Sequence, residues 1–200
     1  MEPTRKERAM RKSRADASRT RENIIDAAAA AFRRDGIAGT GLVELMAAAG
    51  LTRGGFYKHF ASKEQLVAEA STHAIDGVVA RIGAAVKERR SGTPLQRALD
   101  AYLTTRHRDH PEAGCLLAAL GSELARESDA VRAAAAQGLE RMVGVFGQDM
   151  TRADAIVAMS AAIGAMTLAR LAPDAAASKE ILQQVRSHLL AHLPSGHGDS

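Results

Sequence analysis

Between residues 40 and 63 the sequence collects side chains that can bind a polyanion. Thr40, Thr52, Arg53, Tyr57, Lys58, His59 and Lys63 supply hydroxyl, phenol, imidazole and cationic donors, with Gly54 and Gly55 among them. Donors of these types bind phosphate oxygens and fix the register of a duplex. Arg and Lys also reach guanine edges in the major groove. Each glycine costs a helix about 1 kcal/mol against alanine. A small surface there lets backbone approach DNA, or it keeps two packed helices from clashing. The sequence leaves both readings open, and they are compatible.

A second group has chemistry of its own. Cys115 stands in Pro111-Glu112-Ala113-Gly114-Cys115-Leu116, with His107 and His110 shortly before it. A helix start near Cys115 would lower the thiol pKa and favour the reactive thiolate. A sensing thiol and an inert buried thiol both fit. The spacing of these three residues completes no zinc pattern. As the single cysteine, Cys115 has no intrachain disulfide partner, which fits a reducing cytoplasm. No nucleophile elbow, Walker loop, dinucleotide fingerprint or His-Glu-x-x-His motif occurs. Neither catalysis nor a cofactor is expected.

The elements that must hold these residues read as helices. The chain of 200 residues is 46% hydrophobic and 3% aromatic. It is rich in alanine and sparse in β-branched residues, so the fold class is all-α. Ile24, Ile25, Ala28, Ala31 and Phe32 recur at helical spacing. That predicts a first helix from about Ser18 to Asp35, stopped by Gly36 in a left-handed cap. Two short helices follow at 42–49 and about 53–59. Gly50 provides the positive φ of a sharp turn between them, and Thr52 is placed to cap the second. Ser62 with Gln65 forms a capping-box arrangement at the start of a long helix to about residue 90. Thr93-Pro94 opens the next. Further helices are predicted at 94–108, 112–126, 129–148, 152–171 and 177–193, about nine in all.

Charge is uneven along the chain. Residues 1–21 carry Arg5, Lys6, Arg8, Arg11, Lys12, Arg14, Arg19 and Arg21 against Glu2, Glu7 and Asp16. That local surplus exceeds the net +4 of the whole chain, so the remainder is near neutral. A basic end on a neutral body suits contact with a polyanion, and a solvated tail fits equally. Residues 1–17 therefore read as a flexible basic arm. Residues 18–65 read as a helix-turn-helix head, 66–194 as a helical body and 195–200 as a disordered tail. No apolar run of about 18 residues is present, so no membrane span is expected. The N-terminus lacks the apolar stretch of a secretory leader.

The stretch Gly50-Leu51-Thr52-Arg53-Gly54-Gly55-Phe56-Tyr57-Lys58-His59-Phe60-Ala61-Ser62-Lys63-Glu64-Gln65-Leu66 resembles the signature of the TetR family. Its marks are a small-residue recognition helix, Tyr-x-His-Phe, and a Ser-Lys-Glu-x-Leu start to the next helix. Ile24-Ile25-Asp26-Ala27-Ala28 and Phe32-x-x-x-Gly36 resemble the family's first helix. The resemblance covers about residues 18–70. It implies that Thr40, Tyr57, His59 and Lys63 contact or position phosphates and that Arg53, Gly55 and Lys58 face bases. Thr52 would cap the recognition helix, and Arg11, Lys12 and Arg14 would be candidates for the minor groove. Gly41 departs from the Ser or Thr common there, which puts one cap contact in doubt. Leu45-Met46 replaces a common Ile-Ala, as volume-tolerant core.

For the body, the resemblance implies effector binding within 94–148 and homodimerisation through helices at about 152–193. Tyr102, Cys115, Met142 and Phe146 are the candidate pocket or sensor residues. Few rings occur there, so a small aliphatic or reactive effector is expected over a flat aromatic cation. Met142, Met150, Met159 and Met166 fit either an adaptable cavity or plain core. The implied function is a ligand-responsive repressor of a double-stranded, pseudo-palindromic operator. A ligand-independent regulator, or one that senses electrophiles or oxidants through Cys115, is the alternative.

Overall fold

The computed structural model describes residues 5–88 and 91–193, with residues 5–14 and Arg53 described in backbone only. Ten α-helices and one 3-10 turn make up the regular structure of the described residues. Helix α1 (Arg5–Asp35) starts well before Ser18. The arm expected to be flexible is therefore helical from Arg5, and its residues 1–4 lie outside the described residues. The reason is local: residues 5–35 hold no Gly or Pro, and extending an existing helix through good formers costs little. Asp16 adds support, pairing with Arg19 at 2.8 Å. Gly36, at φ 82°, ends the helix as expected.

Helix α2 (Leu42–Ala48) packs onto α1 and helix α3 (Arg53–Phe56) onto α2, with Gly50 at φ 71° in the turn between them. The second is shorter than predicted. It unwinds after Phe56 into turns in which His59 and Phe60 both donate to the Phe56 carbonyl. Helix α4 (Lys63–Lys87) is capped by Ser62, whose hydroxyl accepts from the Gln65 amide. The Gln65 side chain in turn accepts from the Ala61 amide at 2.8 Å. Residues 89 and 90, where the long helix was expected to end, lie outside the described residues.

The body is built around α4. Helices α5 (Pro94–Tyr102), α7 (Leu116–Leu124) and α8 (Asp129–Phe146) pack against it. Gly138 lets α8 lie directly on Ile75, where a Cβ would collide with the isoleucine. The predicted helix 94–108 divides in two. Thr104 caps a short α6 (Thr105–Asp109), its hydroxyl accepting from the His107 amide at 3.0 Å. A 3-10 turn (Pro111–Ala113) and an extended Gly114 then delay the next helix to Leu116, with Cys115 at its N-cap. Helices α9 (Arg152–Leu171) and α10 (Ala175–His192) pack together at the end of the chain. The expected tail, 195–200, lies outside the described residues.

Candidate nucleic-acid interface and ligand cavity

The head is a small apolar core with one open face. Ile24, Ala28 and Phe32 from α1 meet Leu45 and Met46 from α2 and Phe56 and Phe60 around α3, all buried. Phe56 and Phe60 stack with centroids 5.5 Å apart. Burying Phe56 and Phe60 turns the intervening and preceding residues outward. Tyr57 is 62% exposed, edge-on to Phe56, and Lys58 beside it is exposed. A Cβ on Gly54 would meet nothing within 4 Å, and one on Gly55 only the Thr52 hydroxyl at 3.8 Å. The head does not need glycine at either position to close its own packing. Of the two readings of Gly54-Gly55, avoidance of an internal helix clash is thus unsupported.

Other expected contact residues are engaged internally. Thr40 is 5% exposed and its hydroxyl donates to the Gly36 carbonyl at 2.6 Å. The Lys63 ammonium donates to the carbonyls of Ile37 and Thr40 at 3.1 and 2.8 Å. Both residues fasten the loop between α1 and α2. Thr52 occupies the N-cap of α3 but makes no side-chain cap bond, contrary to expectation, so its exposed hydroxyl remains available. The Arg53 side chain lies outside the described residues. At Gly41 the Glu44 carboxylate occupies the space that a Cβ would fill, which answers the missing Ser or Thr with a first-turn acid.

Arg21, the last cation of the basic run over residues 1–21, is a clamp. Its Nη2 pairs with Glu69 at 2.6 Å and its Nε donates to the His59 carbonyl at 3.3 Å. Its guanidinium lies 4.5 Å from the Phe60 ring centroid. One side chain thus joins α1, α4 and the turn after α3. The sequence held a signal for it: Arg21 falls three and four residues before Ile24 and Ile25, on the core-facing stripe.

Two further ties join head and body. Arg33 of α1 donates from Nε to the Glu112 carbonyl at 2.7 Å, and Glu123 of α7 accepts from the Ala38 amide at 2.8 Å. Neither had a local sequence signal, because each crosses from one helix to a distant loop.

The four expected effector residues, Tyr102, Cys115, Met142 and Phe146, are all buried. Tyr102 packs edge-on against Phe146 and against His107. His107 organises the cluster: Nδ1 lies 2.7 Å from the Tyr102 carbonyl, and the Cys115 amide donates to Nε2 at 2.8 Å. Since Nε2 accepts, the proton sits on Nδ1, and neither nitrogen is free for a metal. Burial pushes the ring down to about 4, only partly opposed by the Tyr102 carbonyl. Gly114 is needed here, since a Cβ would run into the imidazole. Burial first, and then the neighbouring Cys115 thiol, hold the Tyr102 phenol well above its usual range. Its hydroxyl has no aligned hydrogen-bond partner. His107 also borders a cavity of about 320 Å³, with Arg81, Ala101, Thr104, Arg106, His110 and Ala113.

The described residues thus form an all-helical body carrying a helix-turn-helix head with a donor-rich outer face. Residues 24–70 match the family model of bacterial regulatory proteins, tetR family. An HTH-type transcriptional regulator of Mycobacterium tuberculosis is 30% identical over 190 residues, covering 87% of this chain and 96% of that one. AcrR of Shigella flexneri, an HTH-type transcriptional regulator, is 42% identical over 59 residues, 30% of this chain and 27% of AcrR. The chain thus aligns with only about a quarter of AcrR's length. Reduced NemR of Escherichia coli shares the fold, with a TM-score of 0.73 at 22% identity over 89% of this chain and 98% of that one. A TetR transcriptional regulator from Chloroflexus aurantiacus gives 0.72 at 23% identity over 90% and 98%. The chain belongs to the tetR family of DNA-binding transcriptional regulators.

Proposed function

We propose that the protein is a ligand-responsive repressor that binds a pseudo-palindromic operator as a homodimer. The observation that carries the DNA-reading part is the outward face of α3. Gly54 and Gly55 leave it low and unobstructed, and Tyr57 and Lys58 stand exposed at its end. A low surface flanked by donors suits close backbone approach to a groove. Thr52 and His59 complete the donor set. Arg53 belongs to it by sequence. Thr40 and Lys63 act by holding the loop that precedes α2.

The dimer rests on α9. Val157, Ala161, Gly164, Leu168 and Leu171 follow alternating steps of four and three, the spacing of a helix-packing seam. Val157, Leu168 and Leu171 are exposed, and Gly164 has nothing near its Cβ position. The helix has a mean hydropathy of 1.4 and is long and apolar enough to cross a membrane, but part of it is buried in the protein. A second copy covering the remaining apolar face accounts for that composition without a membrane. Two heads held by such a seam would address two half-sites.

The responsive part rests on the ties between head and body: α4 runs from the head to Arg81 at the cavity, Arg33 of α1 bonds the Glu112 carbonyl of the turn that carries Ala113, and Glu123 of α7 accepts from the Ala38 amide. The alternative, thiol sensing through Cys115, is opposed by complete burial of the residue. The test is selection of bound duplexes from a random pool, with Tyr57→Ala/Lys58→Ala as control. Enrichment of an inverted repeat by the wild type, lost in the variant, is expected. Equal binding of every duplex, abolished by salt, would overturn sequence-specific reading.

A further inference from the structure

The cavity beside His107 presents cations without counter-ions. Arg81 and Arg106 line it with Thr104 and His110, and no carboxylate is among its lining side chains. Neither arginine has an ion-pair partner among the described residues. Elsewhere on the body, Arg141 pairs with Asp76, Arg152 with Glu140 and Arg186 with Asp100. Arg81 lies close enough to oppose the charge on Arg33, which hydrogen-bonds the main-chain carbonyl of Glu112. The carboxylate of Glu112, the acid of the adjoining 3-10 turn, is engaged by His110 at 3.1 Å. Two exposed guanidinium groups lining one cavity, with no acid among its lining side chains, leave a place for negative charge.

We propose that this cavity binds a small organic anion, a carboxylate or a phosphate monoester, held by Arg81 and Arg106 with the Thr104 hydroxyl and His110 as further donors. Ala101 and Ala113 give room for the apolar part of such a molecule, and about 320 Å³ is at the small end of ligand pockets. The site also has a mechanical connection. Ala113 belongs to the 3-10 turn whose Glu112 carbonyl takes the Arg33 hydrogen bond from α1. An anion that draws Arg81, Arg106 and the turn together shifts the anchor of α1, which carries part of the head core. This regulatory consequence rests on the ligand-responsive reading above; binding itself does not.

The experiment is a nuclear magnetic resonance titration of the full chain without DNA, at constant ionic strength. Benzoate and phenyl phosphate are the anionic probes, and benzamide is the neutral counterpart. Saturable shifts of the Arg81 and Arg106 Nε–H signals and of amides 104–113 are expected for one or both anions and not for benzamide. The stronger of the two anions assigns carboxylate or phosphate. Arg81→Gln/Arg106→Gln weakens binding by about tenfold or more, whereas the surface variant Arg132→Gln does not. Benzamide binding as well as benzoate, an unchanged affinity in the double variant, or no shift with either anion at tens of millimolar, overturns the site. Binding that leaves operator affinity unchanged would instead sink the responsive reading and leave the anion site standing.

Discussion

At the scale of single residues, Gly54 separates stability from recognition. Nothing in the protein lies within 4 Å of a Cβ there. Gly54→Ala should therefore leave folding unchanged or stabilise it by up to about 1 kcal/mol. If the groove wall approaches this backbone, the same methyl weakens operator binding by about tenfold, or about 1.4 kcal/mol. Urea unfolding and a gel-shift titration read the two quantities on one preparation. Equal operator affinity in the variant would remove close backbone approach at Gly54 from the account. His107 makes a different prediction. Its native pKa of about 4 lies below the ordinary value of 6.5, so the unfolded chain binds more protons between those pH values. Its contribution is fully present above pH 6.5 and is lost as pH falls through about 4, amounting to about 3 kcal/mol. Protonation would also set an N–H on Nε2 against the Cys115 amide. His107→Gln can still accept from one amide and donate to one carbonyl, and it should flatten the stability slope between pH 6.5 and 4. An identical slope in both proteins would assign the acid sensitivity elsewhere.

Elements explain what sequence reading could and could not find. Caps and breakers act within a few residues, so Gly36, Gly50, Ser62 with Gln65, and Thr93-Pro94 were all legible. The apolar stripe of the head was legible for the same reason. The break after Tyr102 was not, because it depends on His107 reaching back to the Tyr102 carbonyl. The outward residues of α3 could be named from the alternation around Phe56 and Phe60. The inward turn of Thr40 and Lys63 could not, since their partners are main-chain carbonyls set by the loop's shape. Arg21 shows the cost of reading charge by segment, because a cation in a basic run serves as an interhelix clamp. Arg21→Met keeps an apolar stem over Phe60 while removing the bonds to Glu69 and the His59 carbonyl. Both side chains of the Arg21–Glu69 pair are about one third exposed. The expected loss of stability is accordingly modest, about 1 kcal/mol. Operator affinity should fall further than stability does, because the clamp fixes the turn that carries Tyr57 and Lys58. Isothermal titration with the selected duplex checks this, and parallel losses in both quantities would make Arg21 merely structural.

At the scale of the molecule, the proposed dimer turns on the apolar face of α9. Leu171 is 76% exposed and Leu168 56%, and with Val157 they form one edge of the helix. Exposed apolar residues on a single seam are a liability unless a partner covers them. Gly164, at the middle of the seam, permits a close crossing of two such helices. Charges placed on this seam cannot be paired in a two-fold arrangement, because each copy brings the same sign to the same patch. Val157→Glu/Leu168→Glu should therefore convert the dimer to monomer in sedimentation equilibrium while leaving the helical circular dichroism unchanged, since neither side chain belongs to the buried core. Binding to an inverted-repeat duplex should then fall by about a hundredfold or more, because the second half-site is no longer engaged as an intramolecular event. Binding to a single half-site should be unaffected, which separates loss of dimerisation from damage to the head. A variant that remains dimeric would move the interface away from α9. A monomer that retained full affinity for the inverted repeat would mean that one head suffices, and the two-fold operator would have to be abandoned with it.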